Sequence, residues 1–167
     1  MTEAIDGVKY KLNVYLTPKS YGKLFFIFLI VKLTFSTVTS FVVTMIDPNL
    51  TSNPVEKESD LFIFMMSVVV APLIETFVFQ LAVMEIGREF MISRRWLMYL
   101  SAILFGTAHF YNLIYALTMF FTGLIFAYSY LFIRNKYDIA KATLFVVSLH
   151  AVSNLVAFLN NNVFHFF

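Results

Sequence analysis

The chain has 167 residues, 60% of them apolar and 13% charged, with a net charge of +2 and no cysteine. A soluble domain carries nearer half apolar and a quarter charged residues, so this composition excludes one. Disulfides, thiolate catalysis and Cys-ligated zinc are excluded as well, and so small a net charge calls for no nucleic-acid partner.

Met1–Ser20 is polar and carries Lys9, Lys11 and Lys19. The apolar run after it is too long for a signal-peptide core and lacks a small-residue cleavage site. It is expected to remain as a first membrane helix, over 22–46. Further apolar runs predict helices over 61–86, 95–110, 112–133 and 140–160. A bilayer core of about 30 Å needs roughly 20 helical residues, and continuous runs do not fit the alternation of a β-barrel. The expected fold is an all-α polytopic transmembrane bundle of about five spans. Residues 1–20 form its cytoplasmic segment and 21–167 a single membrane-embedded domain.

The basic residues sort by connection. Lys9, Lys11, Lys19 and Lys23 precede the first span. Arg88, Arg94 and Arg95 follow the second, and Arg134, Lys136 and Lys141 follow the fourth. The connections of opposite parity hold Lys57 alone. The positive-inside rule then places the N-terminus in the cytoplasm and the C-terminus outside, in a bacterial plasma membrane. Asp47-Pro48 and Asn53-Pro54 mark an acidic outer loop, with Glu56, Glu58 and Asp60.

Within the spans, Lys32, Glu75, His109, His150 and Asn154 are costly in hydrocarbon. Lys32 sits about ten residues into its span and is expected to snorkel toward the cytoplasmic side. Pro72 lacks a backbone donor and loosens the turn before Glu75. Phe105 and His109 share a helix face, as do His150 and Asn154, each pair four residues apart. Ala102 and Gly106 allow another helix to approach. Glu85 and Arg88 read as a local surface pair, and His165 as incidental. Counting about 1.5 Å per residue from the inner helix ends puts Glu75 and His150 near 15 Å and His109 near 20 Å. One polar layer could hold all three with Asn154. Taken singly, each also reads as an interhelical hydrogen bond or a packed histidine.

The ordered set Glu75…Gln80, Phe105…His109 and His150…Asn154 resembles the CPBP family, the CAAX-protease and bacteriocin-processing (Abi) group. That family carries Glu-Glu-x-x-x-Arg, Phe-x-x-x-His and His-x-x-x-Asn on successive membrane helices. The second and third motifs match in full. In the first, Thr76 stands for the second Glu and Gln80 for the Arg. The resemblance covers about 71–158. It implies an intramembrane glutamic endopeptidase acting on a membrane-associated peptide or protein. Glu75 and His109 would activate water, His150 and Asn154 would hold the oxyanion, and no cofactor would be needed. Three other readings remain open. One is a catalytically inactive relative that binds a peptide as an immunity or regulatory protein. Another is a zinc peptidase with Glu75, His109 and His150 as ligands. The third is a small transporter with a proton-relay set.

Overall fold

The computed structural model describes residues 20–47, 50 and 58–164. The segment 1–19, most of the loop around Pro48, Asn53, Pro54, Glu56 and Lys57, and His165 lie outside the described residues. Among the described residues five helices follow one another: α1 (Tyr21–Ile46), α2 (Asp60–Glu89), α3 (Arg94–Ala108), α4 (Leu113–Arg134) and α5 (Ile139–Phe158). α5 continues in wide π turns over Leu159–Phe164. Among the described residues there is no strand. α1, α2, α4 and α5 are long and apolar enough to cross a membrane. α3 has 15 residues, about 22 Å at 1.5 Å per residue, close to the short span expected, and it stops at His109, whose backbone turns out of the helix.

The helix starts follow side-chain chemistry. Ser20, Ser59, Asn112 and Asp138 stand before α1, α2, α4 and α5, and each side chain accepts a hydrogen bond from the amide three residues on. These caps satisfy donors that no helical carbonyl can reach. At Asp138 the Lys141 amide, and then the Lys141 ammonium, hold the carboxyl below the usual carboxylate range.

α4 and α5 form the centre of the bundle, with Phe126, Tyr130, Ile133, Phe145, Val146 and Leu149 buried. α1 lies at its edge. It buries Leu24, Phe28 and Lys32 inward and leaves Phe26, Ile30, Phe41 and Met45 exposed, as a helix flanked by lipid would. Small residues set the α3–α4 contact. A Cβ at Gly123 would lie 3.0 Å from Ala102 Cα, and one at Gly106 would lie 2.9 Å from the Ala116 carbonyl oxygen. Gly106 thus faces Ala116 and Ala102 faces Gly123, so the two helices run antiparallel. At the C-terminal ends of α2 and α4, Glu85 accepts from Arg134 Nε at 3.0 Å and from the Tyr130 hydroxyl at 3.0 Å, besides its 3.5 Å pair with Arg88. The expected local surface pair is therefore part of a tie between α2 and α4.

α2 departs most from regular geometry. It is π-helical over Met65–Val70 and Thr76–Ala82, with Ala71–Glu75 between. Just before Pro72 the register is i to i−5, since the Ala71 amide donates to the Met66 carbonyl. The next amide in that register would serve the Ser67 carbonyl, but Pro72 has none. The Ser67 oxygen instead accepts from Asn154 Nδ2 of α5 at 2.7 Å. Proline is tolerated in a membrane helix when a neighbouring helix re-satisfies the freed carbonyl, and here the neighbour is Asn154.

Two outcomes follow for stability, both measured by thermal unfolding in detergent. Gly106→Val and Gly123→Val should each destabilise by about 1–3 kcal/mol through overpacking against backbone; an unchanged midpoint would contradict the close α3–α4 crossing. Asn154→Ala should cost about 1 kcal/mol, the scale of an interhelical hydrogen bond in a membrane. Most of that cost should vanish in the Pro72→Ala background, where an amide again reaches Ser67. Equal costs in the two backgrounds would mean that Pro72 and Asn154 are not coupled.

Candidate active site

Three helices converge on Glu75. Its Oε1 lies 3.5 Å from His109 Nε2, and its Oε2 lies 3.9 Å from His150 Nε2. Glu75 comes from the central segment of α2, His109 from the end of α3 and His150 from the middle of α5. The side chains of Glu75, His109 and His150 keep 19%, 15% and 6% of their surface exposed. The site is therefore enclosed on the His150 side and open on the other.

His109 is the residue at which α3 ends, and its ring turns back along the helix. Nδ1 lies 2.7 Å from the Phe105 carbonyl oxygen, which can only accept. The proton therefore belongs on Nδ1, and the Nε2 lone pair faces Glu75. His150 is arranged the other way. Its Nδ1 is buried without a hydrogen-bond partner among the described residues, and Nε2 faces the carboxylate. A proton on Nδ1 would be stranded, so the neutral ring carries it on Nε2 and presents a donor.

Aromatic rings hold both imidazoles. Phe105, fully buried, packs against the His109 ring at 4.7 Å between centroids and the His150 ring at 6.0 Å. Phe126 packs on the other contact of His150 at 4.5 Å. In Phe105-x-x-x-His109 the phenylalanine is thus the apolar floor of the site. It strengthens electrostatic interactions above it by excluding water. Asn154 lies one turn beyond His150, with one N–H committed to the Ser67 carbonyl.

Near the opening, the Asn112 amide donates to the Leu50 carbonyl at 3.1 Å and ties the α1–α2 loop to the turn after His109. This tie was not predicted from sequence, because nothing local relates residues so far apart. Deeper in, Thr76 and Gln80, which stand where the resembling family carries charge, are fully buried, as is Ser101. The Thr76 and Ser101 hydroxyls and both Gln80 amide atoms have no partner among the described residues. All four expected site residues therefore lie along one α2–α3–α5 contact. Glu75, His109 and His150 come directly together, and Asn154 stands one turn away. Among the described residues no group of three His, Cys, Asp or Glu side chains is placed to hold a metal ion.

No curated protein and no solved structure gives a significant match to the chain. The sequence profile of one family does match, over residues 57–156, more than half of the chain. The matched stretch runs from just before α2 into α5 and takes in Glu75, Phe105, His109, His150 and Asn154. The chain belongs to the type II CAAX prenyl endopeptidase Rce1-like family.

Proposed function

We propose that the chain is an intramembrane endopeptidase that cleaves a membrane-associated peptide or protein by glutamate-activated water. The observation that carries this reading is one carboxylate facing the Nε2 atoms of two histidines from two other helices, at 3.5 and 3.9 Å. Both distances exceed a good hydrogen bond, so neither histidine commits a carboxylate oxygen. Catalytic contacts commonly tighten only in the substrate complex.

The residues divide the work by protonation. Water donates one proton to the Glu75 carboxylate while its oxygen attacks the scissile carbonyl carbon. His109, anchored through Nδ1, offers its Nε2 lone pair to the same proton and keeps Glu75 aligned. The carbonyl becomes a tetrahedral oxyanion, which accepts from His150 Nε2–H. The free N–H of Asn154 supports that oxygen, so two donors are aimed where charge develops. The proton held by Glu75 and His109 then passes to the leaving amine, the C–N bond breaks, and the carboxylate is regenerated. No metal takes part in this scheme. An apolar groove of about 530 Å³ between α2 and α5, lined by Leu73, Phe77, Leu81, Leu144 and Val147 among others, supports an apolar portion of substrate lying beside the site.

The second reading, a family member that binds peptide without cutting it, draws on Thr76 and Gln80, which depart from the resembling family's motif. Activity decides between them. Purified protein in proteoliposomes should cleave its peptide, and Glu75→Gln should lower kcat by at least about a thousandfold, since Gln keeps the size but cannot take the proton. Cleavage should survive a strong chelator. Equal activity of Glu75→Gln and the unaltered chain would remove the catalytic role; loss with phenanthroline and return with zinc would make the three residues ligands instead.

The orientation proposed from the basic residues is an inner N-terminus and an outer C-terminus. A reporter fused at Phe167 should read the outer side. A cytoplasmic reading would mean that the short α3 does not cross.

A further inference from the structure

The two ends of the bundle differ in charge and in packing. One end holds the start of α1 and the α2–α3 and α4–α5 connections, with Lys23, Arg88, Arg94, Arg95, Arg134 and Lys136 at or beside them. The other end holds the α3–α4 turn and carries Asp47, Glu58 and Asp60, and no lysine or arginine among the described residues. From the site toward the basic end the interior is closed: Met84, Leu97, Phe126, Tyr130, Val146 and Leu149 are fully buried. Toward the acidic end the packing is looser. Val43, Ile63, Val68 and Ala116 are the most enclosed aliphatic side chains there, each still 8% exposed, and α1 leaves Val38, Phe41 and Val42 uncovered.

The seam between α2 and α5 changes character at the level of Glu75. On its acidic side the seam is polar. Asn154 Nδ2 donates to the Ser67 carbonyl, and Asn162 Nδ2 donates to Asp60 Oδ1 at 3.2 Å. On its basic side the seam is the apolar groove, which starts at Leu73, two residues before Glu75, and follows α5 from Val147 back to Ala140, about 10 Å at 1.5 Å per residue. Water is held by polar groups and expelled by closed hydrocarbon. Its path to Glu75 therefore runs past Asn154 and the α3–α4 turn, where Phe110 and Tyr111 are exposed, and not through the closed half.

We propose that the site works from the outer face of the membrane, on an exported peptide or the outer segment of a membrane protein. An apolar stretch of the substrate lies in the α2–α5 groove on the inner-leaflet side, and its polar part leaves between Asn154 and the α3–α4 turn. Hydrolysis of the amide between them takes its water from outside, releases the polar fragment outward and leaves the apolar fragment in the bilayer. This rests on the protease reading for the cut, and on the sorting of basic residues for which face is outer.

The chain has no cysteine, so single introduced thiols report access directly. Ser93→Cys replaces a hydroxyl that makes no cap bond at the start of α3, and Tyr111→Cys marks the α3–α4 turn. Ser67→Cys lies on the acidic side of Glu75, and Ser101→Cys replaces a fully buried, unpartnered hydroxyl on the basic side. Each variant is treated with a charged, membrane-impermeant methanethiosulfonate, on intact cells and on inverted vesicles. Tyr111→Cys and Ser67→Cys should react from the cell exterior, and Ser93→Cys in inverted vesicles alone. Ser101→Cys should react at least about tenfold more slowly than Ser67→Cys, since each unit by which apolar burial raises a thiol pKa lowers the thiolate fraction about tenfold. Ser67→Cys reacting from the inverted side alone, Ser101→Cys reacting freely there, or Ser93→Cys and Tyr111→Cys exchanging sides overturns the proposal. Peptide libraries lipidated at either terminus, presented to one face of oriented vesicles at a time, then read the cut. Soluble fragments should appear on outer presentation alone, and cutting on inner presentation overturns the proposal. The expected thiol pattern with no cutting from either face would sink the protease reading and leave the outward opening standing.

Discussion

One missing amide shapes the centre of this molecule. Pro72 cannot donate in the π register that precedes it, and the Ser67 carbonyl is left to find a partner inside a membrane helix. Asn154 supplies one from α5. The bond joins α2 and α5 two turns before Glu75 and one turn after His150. It therefore holds the two sides of the site at a fixed spacing without using Glu75 or His150. Hydrocarbon gives this bond its weight, since no water stands ready to take the carbonyl if Asn154 leaves. The π turns on both sides of Ala71–Glu75 are the local consequence. They change the residues per turn, and so decide which way Glu75 points relative to Leu73 and Phe77, which face the α2–α5 groove.

The remaining support is steric and aromatic. α3 reaches the site only because Gly106 and Gly123 let its backbone lie against α4. It ends there because His109 leaves the helix and folds its ring onto the Phe105 carbonyl. Phe105 and Phe126 then clasp the two imidazoles. Near the C-terminal end of α2, Glu85, Arg134 and Tyr130 join it to α4, so the helix that carries Glu75 is tied on both sides of that residue, at Ser67 and at Glu85. Precision at the site comes from these helix-borne contacts rather than from loops, which suits chemistry that tolerates little displacement.

Much of this was legible in the sequence, and the failures have physical causes. Long uninterrupted apolar runs need no tertiary information, and α1, α2, α4 and α5 fell within a few residues of expectation. Glu75, His109 and His150 were legible because each is costly in hydrocarbon, and three costly groups at compatible depths tend to share one place. α3, expected over 95–110, also fell within two residues of expectation; it ends where the His109 ring turns back onto the Phe105 carbonyl. Glu85 was assigned to Arg88 because i, i+3 spacing is visible and the α2–α4 approach is not. Lys32 was expected to follow its aliphatic stem to the near interface. That rule assumes a lone helix in lipid, whereas α1 offers Ser36 and α4 offers Phe126 on the opposite side. Asn154 was singled out for its chemistry, but its bond to Ser67 depends on the π register, which no spacing rule contains.

Thr76 and Gln80 are the departures that bear on whether the site works, and their position argues against simple decay. They are four residues apart, and both are fully buried on the inner face of α2. The pattern that the chain resembles carries an acid and a base at these places. Loss of the base alone would strand an anion in the bundle, and loss of the acid alone would strand a cation, each costing about 3–5 kcal/mol. Here both are gone and the charge stays balanced. The residual cost is that of unpartnered hydroxyl and amide atoms, about 1–3 kcal/mol each and smaller than that of a stranded ion. Selection for folding alone would favour apolar groups at both positions, since they are cheaper still. With neutral polar side chains at both positions, His109 and His150 are the ionisable groups that face Glu75 among the described residues.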